Sequence, residues 1–339
     1  MYARLRPLLF RLDPESAHAL ILAVMRLAGQ LTPMRPWLRS CFAAPEKQVQ
    51  AFGLTFRNPV GLAAGYDKDG LAWRGLACLG FGHIEIGTVT PTAQRGNPHP
   101  RLFRLPEDRA LINRLGFPSR GADFVQKQLS PRQRPPGLIL GVNLGKNRDT
   151  PLEEATRDYL CLMERFASLA DYLAINVSSP NTVGLRRLQA RQALEALLEA
   201  LFRYREQLIG VGERSIPLLV KLAPDLEPAE LDDALEAILN TGMDGVIATN
   251  TTIKRGTLNS PRAAEAGGLS GATLTERSTQ VIKQIYHYTG GRLPIIGVGG
   301  VMGPADARQK LDAGAALVQI YTGLVYEGPG LVKRIVAEI

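Results

Sequence analysis

A chain of 339 residues that is 45% hydrophobic can bury a large core, which excludes a disordered or low-complexity protein. That length is long for one ordinary domain and normal for an α/β barrel with an extension. A net charge of +8 suits a phosphorylated cofactor, an acidic substrate, an anionic membrane or nucleic acid, and equally a surface that is merely Arg-rich.

The first forty residues form a segment of their own. They carry six arginines (Arg4, Arg6, Arg11, Arg26, Arg35 and Arg39) against two acids, Asp13 and Glu15. Ala17, Leu20, Ile21, Val24, Ala28 and Leu31 recur at helical spacing. Asp13 is placed to cap this helix and Pro14 to open it, and Thr32-Pro33 is expected to end it. A second short helix is expected over Arg35–Phe42. The uncharged stretch Ser16–Met25 covers ten residues. A bilayer span needs about 20. Arg26 interrupts the apolar run and no A-x-A site follows, which argues against a signal peptide. Two readings stay open: a basic amphipathic helix lying on a membrane, or a helix packed on the rest of the protein.

From residue 58 a rhythm sets in, of short apolar runs followed by helical segments. The runs are Val60–Ala64, His83–Gly87, Leu138–Asn143, Tyr172–Asn176, Leu218–Leu222, Gly245–Thr249, Pro294–Val298 and Ala316–Ile320. Helices are expected over Asp67–Leu79, Pro151–Leu169, Leu188–Leu208, Pro228–Asn240, Leu274–Tyr288 and Pro304–Asp312, with a last one from Pro329. Alternating strands and helices imply parallel pairing with right-handed crossovers. Eight such units predict a closed (β/α)8 barrel, and Gly53 lies in a hairpin expected to close its floor. An open Rossmann sheet would want an early G-x-G-x-x-G, and the nearest glycine cluster, Gly297–Gly300, is late.

In such barrels the active site lies at the C-terminal strand ends. Those ends offer Gly65, Thr88, Asn143, Asn176, Lys221, Thr249, Asn250, Gly299, Gly300, Tyr321 and Thr322. No His or carboxylate stands among them, which argues against hydrolytic triads and paired-acid chemistry. Cys41, Cys78 and Cys161 are isolated and the four histidines are scattered, so neither a metal nor a disulfide is expected. Amides and one cation suit a large, flat, polar ligand such as a flavin ring. The loops at Gly297–Gly300 and Tyr321–Gly323 are expected to hold a phosphate, with a helix opening at Gly303-Pro304. Lys221, inside an apolar run, is costly unless it meets an anion, and no strand-end acid is there to pair with it. Lys68 reads either as a carboxylate ligand or as a helix-start residue between Asp67 and Asp69. In Asn176–Asn181, Ser178 or Ser179 reads most simply as a turn cap. The long excursion holding Asn113, and Leu258–Ser270, are candidate lids.

Ten stretches in order carry a family resemblance. They are Asn58–Gly65, Glu85–Pro91, Pro100–Arg104, Asn113–Phe117, Gly141–Lys146, Asn176–Asn181, Ala248–Thr252, Gly267–Gly271, Pro294–Gly300 and Gln319–Gly323. Together the chain resembles the dihydroorotate dehydrogenases of the membrane-associated, quinone-reducing class over nearly its whole length. The resemblance implies oxidation of dihydroorotate to orotate in pyrimidine synthesis with one FMN per chain. It implies Ser179 as the base taking the C5 proton, with the C6 hydride passing to flavin N5. Lys68, Asn113, Arg114, Leu115, Gly116, Phe117, Asn176, Asn181, Asn250 and Thr251 would hold substrate. Ala64, Gly65, Tyr66, Asp67, Lys68, Thr88, Asn143, Asn176, Lys221, Thr249, Gly271, Gly300, Tyr321 and Thr322 would bind FMN.

Serine rather than cysteine at the base position, and the N-terminal extension, both point to this class. Residues 1–44 would then form a quinone tunnel and 45–339 the FMN barrel, with His18, Arg104 and Tyr321 near the tunnel's inner end. The expected location is the cytoplasmic side of a bacterial inner membrane, attached peripherally, with no nucleic-acid partner. The nearest rival, an FMN barrel acting on tRNA uridines, would need a basic RNA-binding domain and a reactive cysteine. A flavin carrier would not need so many amides.

A hydroxyl of water-like acidity, pKa about 15.7, cannot wait as an alkoxide near neutral pH. Full ionisation would cost on the order of 12 kcal/mol. Ser179 would therefore pass its proton onward as it takes the substrate's.

Overall fold

Eight apolar runs pair in parallel and close on themselves in the computed structural model, which describes residues 2–31, 33–129 and 134–339. In chain order the strands are β1 (Val49–Ala51), β2 (Leu54–Phe56), β3 (Val60–Leu62), β4 (His83–Val89), β5 (Leu102–Leu105), β6 (Ala110–Asn113), β7 (Ile139–Leu144), β8 (Tyr172–Asn176), β9 (Leu218–Leu222), β10 (Gly245–Ala248), β11 (Gly268–Gly271), β12 (Ile295–Val298) and β13 (Leu317–Ile320). The barrel runs β3-β4-β7-β8-β9-β10-β12-β13 and returns to β3. Helices cover its outside, so it is a (β/α)8 barrel. Every residue of β8, β9 and β10 is buried, which is why these strands read as continuous runs rather than alternations.

The β1–β2 hairpin turns at Phe52 and Gly53, both at positive φ, and closes the floor. Its Ala51 and Phe56 pack with the inward-facing Tyr172, Leu219, Ile247, Ile296 and Leu317. Gly141 makes room inside for Tyr172: a Cβ there would lie 2.2 Å from the tyrosine ring.

The helices Pro228–Asn240 and Pro304–Asp312 have the expected bounds. Asp67–Leu79 does not form one helix. Asp67 takes the N–H groups of Leu71 and Ala72 on its carboxylate, each at 2.8 Å, and holds a loop. Helix begins only at Trp73, runs to Leu76 and tightens into a 3-10 turn over Ala77–Leu79. The two candidate lids are not free loops. Their segments β5, β6 and β11 make a three-stranded antiparallel sheet. Asp108 fastens the loop before β11 by accepting from Asn259 N–H at 2.8 Å and Ser260 N–H at 3.0 Å. The helices Ala122–Leu129 and Thr322–Glu327 had no sequence forecast.

Three helices precede the barrel: α1 (Tyr2–Leu9), also unforeseen, α2 (Pro14–Gln30) and α3 (Met34–Phe42). Asp13 caps α2, accepting from Glu15 N–H at 3.1 Å and Ser16 N–H at 2.9 Å. Thr32, expected to end that helix, lies outside the described residues. One side of α2 lies on the barrel, where Gly29 meets Gly75 so closely that a Cβ on Gly75 would fall 1.9 Å from the Met25 carbonyl. Its other side leaves Leu20, Val24 and Leu27 about half exposed, and Leu5 and Leu8 of α1 and Trp37 of α3 are exposed to a similar degree. Among the described residues no helix is long and apolar enough to cross a membrane.

Candidate active site

The C-terminal ends of the barrel strands open onto a cavity. Thr88 enters it from β4, Asn176 from β8, Lys221 from β9, and Thr249 and Asn250 from the end of β10. The loops after β12 and β13 bring Gly299, Gly300, Tyr321 and Thr322. Parallel strands all end on the same face, so residues more than two hundred positions apart converge there.

The polar side chains form one connected network. Thr88 Oγ1 donates to Asn143 Oδ1 at 2.6 Å, and Asn176 Nδ2 donates to the same two oxygens at 3.0 Å each. Asn250 Nδ2 donates to Ser178 Oγ at 3.0 Å. Asn143 Nδ2 donates in turn to Glu85 Oε1 at 2.8 Å.

Glu85 overturns the expectation that Lys221 faces no acid. It lies inside the barrel on β4, fully buried, with Oε1 3.5 Å from Lys221 Nζ. Its other oxygen accepts from Tyr172 OH at 3.0 Å and Gln319 Nε2 at 2.9 Å. Four donors converge on one carboxylate, which is the environment an acceptor-only group requires.

Ser179 lines the cavity and Ser178 does not. Ser178 is fully buried, its hydroxyl donating to Asn176 Oδ1 at 3.1 Å, whereas Ser179 Oγ accepts from Asn181 N–H at 3.3 Å and faces the open space. Asn181 Nδ2 donates to Asn113 Oδ1 at 3.0 Å, joining the loop after β8 to β6. Leu115, Gly116, Phe117, Thr251 and Gly271 complete that side. Near the first strand, Ala64, Gly65 and Lys68 line the wall, and Lys68 Nζ donates to the Gly65 carbonyl at 2.6 Å. Burial pulls the Lys68 ammonium down to about 8.

Four of the expected residues stand off this wall. Asn143 does not line the cavity and is hydrogen-bonded to Thr88 and Asn176, which do. Arg114 turns outward, to Glu265 at 2.7 Å and the Pro100 carbonyl at 3.2 Å. Asp67 is spent on its loop, and burial raises its carboxyl to about 6. Tyr66 faces a different cavity. Gly303 and Pro304 do not line the first cavity either. The sequence reading missed Ser270, Gln319 and Val301 on the wall, and Glu85 and Tyr172 below it. Thr182 also escaped it: its hydroxyl is buried three residues beyond Ser179 with no protein partner.

The second cavity lies between the barrel and the N-terminal helices. Leu5, Leu9, Phe10, Ile21 and Met25 make its apolar side. His18, Arg104 and Tyr321 all line it. His18 Nε2 lies 2.8 Å from the Tyr66 carbonyl, and burial, then the Lys68 charge, lowers its imidazole to about 4, so it stays neutral. Arg104 binds the carbonyls of Leu9 and Leu12 and stacks 4.7 Å above the Phe10 ring, fixing the link between α1 and α2. Tyr321, Leu102 and Leu111 border both cavities.

Comparison with known proteins agrees with this geometry. The family model described as dihydroorotate dehydrogenase matches residues 47–339. The protein named dihydroorotate dehydrogenase (quinone) from Roseiflexus sp. is 51% identical over 99% of this chain and 92% of its own length. The protein of that name from Aeromonas hydrophila is 48% identical over the whole of both chains. A crystal structure of DHODH from Eimeria tenella in complex with ferulenol superposes with a TM-score of 0.86 at 40% identity, covering 96% of this chain and 90% of the other. With its closed barrel, strand-end cavity and full-length relatives, this chain belongs to the dihydroorotate dehydrogenase family, in its quinone-dependent class.

Proposed function

We propose that this protein oxidises dihydroorotate to orotate in pyrimidine biosynthesis, with FMN in the first cavity and a quinone in the second as final electron acceptor. The carrying observation is the pair of cavities: one walled by amides and a lysine, the other apolar, with Tyr321 between them. The donor set fits a flavin. Thr88, Asn176 and Lys221 would hold the ring edge, and the peptide groups of Gly299–Val301 with Thr322 the phosphate. FMN, when bound, supplies a two-electron acceptor that a quinone can reoxidise.

Ser179 takes the C5 proton of the substrate. Its hydroxyl is oriented by the Asn181 N–H and shielded from bulk water, being 5% exposed. The buried Thr182 hydroxyl, three residues on and without a protein partner, would serve as a relay, taking the proton that Ser179 hands on while passing its own to a water molecule. Asn113, Asn181, Asn250 and Thr251 orient the substrate ring. Lys68 meets its carboxylate.

Lys68 gives a pH signature. An ammonium lowered to about 8 is charged below that pH and neutral above it. The kcat/KM for dihydroorotate, which reports the free enzyme, is expected to fall as pH rises through about 8, while kcat keeps rising with base strength. A kcat/KM that stays level to pH 10 in steady-state profiles removes Lys68 from substrate binding.

The region 1–44 serves as the membrane and quinone segment. The exposed Leu20, Val24, Leu27 and Trp37, among the arginines of the first forty residues, suit peripheral attachment to the cytoplasmic side of an inner membrane. Arg104→Ala is expected to raise the KM for quinone about tenfold by loosening the α1–α2 link. Anaerobic flavin reduction by dihydroorotate should be unchanged. An equal effect on both half-reactions removes Arg104 from the quinone side. The function itself is tested by steady-state turnover of dihydroorotate with a short-chain ubiquinone against a nicotinamide acceptor. Turnover with the nicotinamide alone overturns it.

A further inference from the structure

The loop after β12 is held from behind by a buried cation. Lys310, on the helix Pro304–Asp312, is fully buried. Its Nζ donates to Ser278 Oγ at 2.6 Å, Thr279 Oγ1 at 3.1 Å and the Thr275 carbonyl at 3.4 Å. All three acceptors are neutral. The acid in its electrostatic surroundings is Asp306, whose carboxylate is engaged by the Met302 N–H at 2.9 Å. A buried ammonium served only by neutral oxygens is costly unless an anion lies within reach of its field.

The residues around Lys310 also shape the loop. Ser278 Oγ donates to the Gly299 carbonyl at 2.8 Å, the shortest of its three acceptors, and Thr275 Oγ1 donates to the Gly300 carbonyl at 2.8 Å. The peptide bonds at both glycines are trans, so each carbonyl points opposite to the N–H that follows it. Pinning two carbonyls toward the helix Thr275–Thr289 therefore turns the N–H groups of Gly300 and Val301 the other way, toward the cavity these residues border. Successive N–H groups of this kind make an anion-binding concavity. Only glycine fits at 300, where a Cβ would lie 2.2 Å from Thr275 Oγ1.

We propose that Lys310 is a positioning residue for the cofactor phosphate: its charge, relayed through Ser278 and the first turn of the helix Thr275–Thr289, sets the Gly299–Val301 loop to receive a dianion. This rests on the FMN reading above. Burial without a bonded acid holds the ammonium down to about 7, and a phosphate across the loop is the anion that would keep it charged.

The test compares two ligands that differ only in the phosphate. The full-length protein, stripped of flavin, is titrated with FMN and with riboflavin, following quenching of flavin fluorescence, in wild type and in Lys310→Met. The variant is expected to bind FMN about tenfold more weakly, with riboflavin affinity unchanged. Equal losses for both ligands, or no loss for FMN, overturn the proposal. Should Lys310→Met fail to fold, Ser278→Ala keeps the cation and cuts its link to the Gly299 carbonyl. It should show the same FMN-selective loss in smaller measure, and an unselective or absent loss is again fatal. A wild-type protein that does not bind FMN sinks the underlying reading instead.

Discussion

Ser179→Ala is expected to lower turnover by at least about a hundredfold and leave FMN bound. The physical ground is placement: of two adjacent serines, only Ser179 borders the cavity, while Ser178 is locked to Asn176 and Asn250. On the proposed mechanism, losing the hydroxyl removes the proton acceptor and leaves the wall of Thr88, Asn176 and Lys221 intact. Ser179→Cys, with a thiol pKa of about 8.5, should keep part of the activity and move the optimum to lower pH. Single-turnover reduction of the flavin by dihydroorotate measures both. Normal reduction by the alanine variant would strip Ser179 of its role.

The largest effect on stability is expected at Glu85. Its carboxylate meets Lys221, Asn143, Tyr172 and Gln319 in the barrel interior. Glu85→Leu leaves Lys221 charged and uncompensated at 6% side-chain exposure, a loss of about 3–5 kcal/mol for breaking a buried pair. Lys221→Met leaves the Glu85 carboxylate with its donors Asn143, Tyr172 and Gln319 but without a counter-charge, and should cost less. The double variant should be more stable than the sum of the two losses predicts, since neither charge then remains. Urea unfolding of the four proteins with a common m-value reads the cycle. Simple additivity would mean that the two residues do not compensate each other.

The barrel was legible because its strands are buried on both faces. A run such as Leu218–Leu222 carries its own boundaries when apolar residues end abruptly in a turn. Strand ends were legible for the same reason, and they delivered Thr88, Asn176, Lys221 and Thr249 to one cavity. Glu85 was hidden because it precedes the strand end, within an apolar run, and only barrel closure brings it to Lys221, 136 positions away. Counting acids at strand ends alone therefore left Lys221 without its partner. The β5–β6–β11 sheet was hidden by distance too, since β11 pairs with a strand more than 150 residues earlier in the chain. Asp67 misled in another way: an acid before an apolar stretch reads as a helix start, but its two N–H acceptances stabilise a loop. The choice between a membrane-lying and a packed N-terminal helix had no single answer, because α2 packs with Gly29 and exposes Leu20, Val24 and Leu27.

Electron flow between the two cavities is tested most directly by anaerobic titration of the purified full-length protein. Stoichiometric dihydroorotate should bleach the flavin's visible absorbance, and added quinone should restore it without oxygen. A flavin that ignores dihydroorotate and bleaches only with NADPH, or one that quinone cannot reoxidise, would contradict the account.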